Sequence, residues 1–283
     1  MIITAFSNLF GSGGAPIFSI NRGKGDSRTA DMIMNTAFTM LCGSAAVLML
    51  IGFLFARPLL TLFGASDDAL VYAYPYLMIY LLGTLPSMIA TGMNPFINAQ
   101  GYAIIGMLSV TVGAVANIIL DPIFIFVLDM GIKGAAIATV ISQLISCILV
   151  LRCLRTSKTS YQLHFGKLRI NTVYLKQIFQ VGIPAGIQST VINLSNALLQ
   201  SSVNSFGSTA MAGYTAANNI FGFLYVAVNS VTQACMSFTS QNYGVHKFKR
   251  MDKVLVDCLI ISVVTSFSLG CGAYFFGSEL LKI

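Results

Sequence analysis

Charged side chains are scarce in this sequence. They make up 9% of its 283 residues, whereas soluble proteins have about 25%. Hydrophobic residues make up 56%, and the mean hydropathy is +0.80. This shortage of charge excludes an ordinary soluble domain and indicates an integral membrane protein whose surroundings are the lipid bilayer. The net charge of +7 does not indicate a nucleic-acid partner, because the basic residues lie in the gaps between apolar runs rather than on one soluble face.

Motifs for metal binding, redox chemistry and catalysis are also lacking. His164 and His246 have no ligand partners at metal spacing, and the six cysteines include no CxxC pair. The segment "GKGD" (23–26) lacks the spacing and the Ser or Thr of a phosphate-binding loop. A membrane enzyme would need clustered acids or a His/Asp pair, and the adjacent acids Asp67 and Asp68 stand alone. We therefore expect no metal, no cofactor, no disulfide and no enzymatic activity.

Long apolar runs dominate the rest of the chain. Each is about 20 residues or longer, which is the length of a membrane-spanning helix rather than of a barrel strand. A helix also satisfies its own backbone hydrogen bonds inside lipid. The sequence thus predicts an all-α polytopic membrane protein with eight spans: 1–21, 33–56, 69–99, 103–128, 134–154, 174–206, 210–240 and 254–283.

The basic residues predict the orientation of these spans. Most of the 16 lysines and arginines lie in three alternate gaps, and basic residues in short loops accumulate on the cytoplasmic side. We therefore expect a multi-pass protein of the plasma membrane. Its predicted cytoplasmic loops are 22–32, 100–102, 155–173 and 245–253.

A weak internal repeat predicts a larger protein. The segment 14–28 aligns with 233–247, and in both places a helix, a basic loop and a second helix follow one another. The repeat implies twelve helices in two halves of six, of which this chain lacks one at the front and three at the back. On this interpretation the chain is a fragment with three parts: an N-lobe (1–154), a cytoplasmic interlobe linker (155–173) and part of a C-lobe (174–283).

One acidic residue lies deep in an apolar run, in the segment "NIILDPIFIF" (117–126). Asn117 and Asp121 are four residues apart and share one helix face, and Pro122 disturbs the helix beside the carboxylate. Helix lengths place Tyr76 and Thr139 at the same level, roughly 8–10 Å below the outer surface at 1.5 Å per residue. An acid inside a membrane span is a functional candidate by default. The alternative is a structural acid that only hydrogen-bonds Asn117 and Thr139.

Three segments resemble the MATE multidrug and toxin extrusion transporters, especially their DinF-like branch. They are "NIILDPIFIF" with "GIKGAAIATVISQ" (131–143), "NRGKGDS" (21–27) and "VGIPAGIQS" (181–189). The resemblance extends from the family's second helix to its ninth. It implies a two-lobed antiporter that exports organic, often cationic, drugs in exchange for H⁺ or Na⁺. It also implies an N-lobe cation site at Tyr76, Asn117, Asp121 and Thr139.

Two further expectations complete this interpretation. We expect the protein to act as a monomer on small organic molecules. The alternative function is a flippase for lipid-linked oligosaccharide, from the same broad superfamily by resemblance. A flippase would need several Arg or Lys residues deep in its cavity to meet the pyrophosphate, and the spans have none at mid-membrane.

Overall fold

The computed structural model of the chain is built from helices. It describes residues 2–62, 67–156, 161–163, 170–204 and 206–280, and every regular element within them is helical, as predicted. The helices are α1 (Ile2–Gly23), α2 (Ser27–Leu62), α3 (Asp67–Leu82), α4 (Thr84–Ala99), α5 (Ala103–Pro122), a π-helix (Ile123–Val127), α6 (Gly131–Thr156), α7 (Thr172–Asn204), α8 (Ser208–Gly244) and α9 (Phe248–Leu280).

Each predicted apolar run corresponds to a helix or to a pair of helices. Within the described residues, five helices are long and apolar enough to span a membrane, and the bent pair α3 and α4 would make a sixth. The five are α2, α5 with its π-helix, α6, α8 and α9. By length and composition alone, the described residues of α1 and α7 do not reach this standard.

Helix α1 packs closely against α7. Its side chains Phe10 and Phe18 are buried, and so are its polar residues Ser7 and Ser19. At Gly13, an added Cβ would lie only 2.7 Å from the carbonyl oxygen of Ile178 on α7. Small residues allow such close helix contacts inside membranes. The faces of α1 that carry these residues are therefore covered by other helices.

The span predicted at 69–99 is broken. Helices α3 and α4 meet at Gly83 with a bend of 50°. Pro86 lies four residues after Leu82 and has no N–H to donate to the Leu82 carbonyl, so the helical hydrogen bonding is interrupted at this point. Gly83 also approaches α6 closely, since an added Cβ would lie 3.0 Å from a methyl group of Val140.

The turns at two of the predicted cytoplasmic loops are shorter than expected. Helices occupy most of 22–32 and 245–253, and the turns between them comprise only residues 24–26 and 245–247. A side-chain cap explains the first case: the Thr29 N–H donates to the Asp26 carboxylate over 3.0 Å. The same backbone hydrogen bond holds the pKa of Asp26 below its usual value. The helices therefore extend beyond the apolar runs and include the polar residues next to each turn.

The chain forms two compact units. The first contains Met1–Asn21 and Gly25–Gly186, and the second contains Arg22–Lys24 and Ile187–Ile283. The division falls inside α7, and the lobe boundaries inferred from the sequence remain predictions. Of the predicted linker, residues 157–160 and 164–169 lie outside the described residues. The described stretch 161–163 packs on the first unit, where Leu163 is buried and its N–H donates to the Leu154 carbonyl over 3.1 Å.

Candidate cation site

A hydrogen bond between two side chains of α5 forms the centre of the candidate site. The Asn117 amide nitrogen Nδ2 donates to the Asp121 carboxylate oxygen Oδ1 over 3.2 Å. The two residues are one helical turn apart, which places them on the same face. Both side chains are half-buried. A hydrogen bond to an ionised group stabilises its charged form, so Asn117 supports the carboxylate of Asp121.

The backbone beside this pair changes its helical type. At Pro122 α5 ends, and a π-helix continues from Ile123 to Val127. Pro122 has no N–H to donate to the carbonyl of Ile118, one turn earlier. After the π-helix, the Met130 N–H donates to the Phe124 carbonyl over 3.1 Å. Short π-helices occur frequently at functional sites, and this one begins two residues after the half-buried Asp121.

Tyr76 of α3 is the third candidate residue. Its ring stacks on that of Tyr80, with 5.9 Å between the ring centroids and 14° between the planes. Helix α3 packs against α6, which in turn packs against α5. That Tyr76 forms one group with Asn117 and Asp121 stays a prediction.

Thr139 of α6 has a different immediate partner. Its hydroxyl donates to the carbonyl of Ala135, one turn earlier in its own helix, over 2.9 Å. Helix α6 packs against both α3 and α5. Among the described residues, no hydrogen bond joins Thr139 to Asp121. The hydroxyl oxygen keeps its lone pairs as acceptors, since its only proton is used within the helix.

Small residues hold α5 and α6 close together on both sides of the site. A Cβ added at Gly134 would lie 2.6 Å from the carbonyl oxygen of Phe124 in the π-helix. One added at Gly113 would collide with the Ser146 hydroxyl and would lie 3.1 Å from the Ser142 carbonyl oxygen. These contacts leave little freedom between the two helices. The α5 face that carries Asn117 and Asp121 therefore has a fixed position relative to α6.

The predicted group offers oxygen ligands in an apolar setting. The carboxylate of Asp121 supplies the charge, while the amide oxygen of Asn117 and the phenol of Tyr76 supply neutral oxygen atoms. Such a set can accept a proton on the carboxylate or bind a hard cation. Both processes neutralise an acid that is costly to keep charged within a membrane.

A second polar network lies in the first unit and was not predicted from the sequence. The amide nitrogen of Asn94 on α4 donates to the Gly106 carbonyl of α5 over 2.9 Å. Asn98 in turn donates to the Asn94 amide oxygen over 3.3 Å. The signal was present as two asparagines four residues apart in an apolar run. This network joins α4 to the first turns of α5.

We predict that replacing Asn117 by Ala shifts the ion dependence of efflux. The Asp121 carboxylate loses its amide donor, and a hydrogen bond to a charged group contributes about 1.5–3 kcal/mol. With H⁺ as the coupling ion, the H⁺ concentration for half-maximal efflux by the complete protein that carries this chain should fall about tenfold or more, because the donor that stabilised the charged carboxylate is gone. With Na⁺ as the coupling ion, the Na⁺ concentration for half-maximal efflux should rise, because the amide oxygen is lost as a ligand. Asn98→Ala is the control, because it removes an amide donor to the uncharged Asn94. An equal effect of the two substitutions on ion dependence would show that Asn117 has no special part in coupling.

These features define a multi-pass helical membrane protein with a polar group held inside its apolar first unit. The MatE family model matches residues 1–123 and 184–283, which is most of the chain. The chain therefore belongs to the MatE family.

Curated relatives share a modest part of the sequence. The multidrug export protein MepA of Staphylococcus haemolyticus is 24% identical over 268 residues, which are 95% of this chain and 59% of MepA. The probable multidrug resistance protein YoeA of Bacillus subtilis is 25% identical over 301 residues, covering 100% of this chain and 62% of YoeA. The chain thus spans about three fifths of the length of these relatives.

Solved structures establish the fold. A MATE transporter in complex with MaD3S aligns with a TM-score of 0.89 at 21% identity, covering 98% of this chain and 63% of that structure. An outward-facing multidrug resistance MATE family transporter of the MOP superfamily aligns with a TM-score of 0.86, also at 21% identity, and covers 98% of this chain and 62% of its own. The helical fold of the chain is therefore the MATE transporter fold.

Proposed function

We propose that this chain is part of a secondary antiporter that exports organic, often cationic, drugs or toxins in exchange for H⁺ or Na⁺. Its support is the MatE family membership together with relatives that are named multidrug export and multidrug resistance proteins. On this proposal the protein is a transporter rather than an enzyme, and it uses no cofactor besides the coupling ion. It works in the plasma membrane as a monomer, with the loops that contain most of the basic residues on the cytoplasmic side.

The observation that carries this proposal is the hydrogen bond between Asn117 and Asp121 within the apolar helix α5, and we propose that Tyr76 belongs to the same site. The carboxylate binds H⁺ or Na⁺ when the site is open to the outside and releases it on the cytoplasmic side. Asn117 orients the carboxylate, Tyr76 contributes its phenol, and Thr139 supplies a hydroxyl from α6. Neutralising the acid changes the cost of exposing this face of α5 to an apolar neighbour. Ion binding thereby favours one arrangement of the helices over the other.

Accumulation of a lipophilic cation tests the proposal. Cells that express the complete protein should accumulate less ethidium than cells with an empty vector, and collapse of the ion gradient should restore accumulation. Membrane vesicles provide the second measurement. Translocation of a lipid-linked sugar, without ion-dependent uptake of any amphipathic cation, would overturn antiport in favour of the flippase function.

A further inference from the structure

A groove runs between α5 and α6 at the end where α5 begins and α6 finishes. Its volume is about 580 Å³. The walls are mainly apolar. Tyr102 and Arg152 lie at the end of the groove where α5 begins and α6 finishes. The lining residues that matter here are Tyr102, Ile105, Leu108, Val112, Leu149 and Arg152.

The packing of the two helices determines where this groove begins. Gly113 of α5 is pressed against Ser142 and Ser146 of α6. The groove starts immediately beyond this contact, at Val112, and continues to the ends of both helices. Ser109 is buried there, and its hydroxyl donates to the Gly106 carbonyl over 2.7 Å. Since that polar group is already bonded, it does not require a polar ligand.

Arg152 is the charged residue of the groove. Its side chain is exposed, and it forms no ion pair with any described residue. No acidic side chain lines the groove. Arg155 follows one turn later on α6 and adds to the positive charge at this end. The groove thus combines apolar walls with a positively charged end, and no acidic side chain among the described residues pairs with that charge.

The surroundings determine what kind of molecule can occupy such a groove. Both α5 and α6 are apolar enough to span a membrane, so the groove opens within one leaflet of the bilayer. An acyl chain matches the apolar trough, and a phosphate matches the guanidinium of Arg152. A zwitterionic headgroup finds no acid in the lining for its amine. Basic pockets between membrane helices are known to select anionic lipids.

We propose that this groove binds an anionic phospholipid, with the phosphate on Arg152 and an acyl chain along Leu108 and Leu149. With the orientation expected from the basic loops, the lipid belongs to the cytoplasmic leaflet. This lipid site is separate from the Asp121 group and is not part of the proposed antiport mechanism. The lipid proposal is the same whether the coupling ion is H⁺ or Na⁺.

The absence of tryptophan from the chain provides a sharp test. Leu108→Trp places a fluorophore in the groove. Met107→Trp is the matched control. Met107 immediately precedes Leu108 on α5, does not line the groove and is 60% exposed. Both variants are made in the complete protein, with any tryptophan outside residues 1–283 replaced by Phe. They are reconstituted with brominated phosphatidylglycerol or brominated phosphatidylcholine, and fluorescence quenching is measured.

The proposal predicts a preference for the anionic lipid at position 108 alone. Half-maximal quenching of Leu108→Trp should need an about fivefold lower mole fraction of brominated phosphatidylglycerol than of brominated phosphatidylcholine, the preference that one basic residue supplies. Met107→Trp should be quenched equally by both lipids. Adding Arg152→Gln should remove the preference at position 108 and leave position 107 unchanged.

Other outcomes overturn the proposal. Equal quenching by both lipids at position 108 means that the groove holds ordinary boundary lipid. Absence of quenching by either lipid means that protein covers the groove. A preference for phosphatidylglycerol that persists in Arg152→Gln means that the guanidinium does not bind the lipid phosphate. If Leu108→Trp does not insert into the membrane, Leu149→Trp places the fluorophore on the opposite wall and is subject to the same outcomes.

Discussion

Ion-driven efflux should fall to the level of cells without the transporter when Asp121 is replaced by Asn in the complete protein. Asn retains the shape of the side chain and can still bond to Asn117, but it can neither take up a proton nor supply a charge to Na⁺. Coupling requires one of these two processes. The protein should still fold, because an amide is cheaper than a carboxylate to bury in a membrane span. The measurement is ethidium efflux per membrane-inserted transporter.

Two further variants separate coupling from a purely structural role of Asp121. Asp257→Asn is the matched control, because Asp257 is an exposed acid on α9 and its loss should leave efflux nearly unchanged. Asp121→Ala removes both the charge and the acceptor of the Asn117 hydrogen bond. A structural acid would give near-normal efflux in Asp121→Asn together with reduced folding in Asp121→Ala. That pattern would contradict the coupling role.

A large loss of stability is expected when Gly182 of α7 is replaced by Ala. The added Cβ would collide with the carbonyl oxygen of Leu9 on α1. The backbone of a helix cannot move aside as a flexible side chain does, so α1 and α7 must separate. Overpacking costs about 1–3 kcal/mol, and the loss here should lie at the upper end of that range. Thermal unfolding of the detergent-purified protein measures the change.

Gly186→Ala is the control for this substitution. Gly186 lies one turn later on α7, and a Cβ added there meets nothing within 4 Å. Replacing Gly by Ala in an open helical position raises helix propensity by about 1 kcal/mol. Gly186→Ala should therefore be as stable as the unmodified protein or more so. Equal stability of the two variants would show that α1 and α7 do not meet at Gly182.

Hydropathy was enough to predict the helices. Each apolar run became a helix or a bent pair, because the backbone inside lipid must bond to itself. The break in the span 69–99 also has a sequence signal in Pro86. One feature had a weaker signal. The burial of α1 depends on close contacts such as that of Gly13 with Ile178, and a glycine in a sequence does not reveal its partner helix.

Part of the candidate site was likewise predictable. The four-residue spacing of Asn117 and Asp121 predicts their shared face, and the structure adds the hydrogen bond between them. Helix depth predicts that Tyr76 lies at the level of Asp121, and this part of the site stays a prediction. A purely structural role of Asp121 would include a hydrogen bond to Thr139, but the Thr139 hydroxyl donates to the Ala135 carbonyl. A hydroxyl that can reach its own helix backbone often does so, and spacing between helices does not reveal this.

Reconstitution of the complete protein in sealed vesicles tests the central claim most directly. A substrate gradient is imposed in the absence of any ion gradient, and movement of H⁺ and Na⁺ is recorded with dyes for each ion. Antiport through Asp121 predicts that ethidium leaving the vesicles draws one of these ions inward, and that Asp121→Asn abolishes this ion movement. Ethidium flux without movement of either ion, or ion movement that persists in Asp121→Asn, would contradict the account.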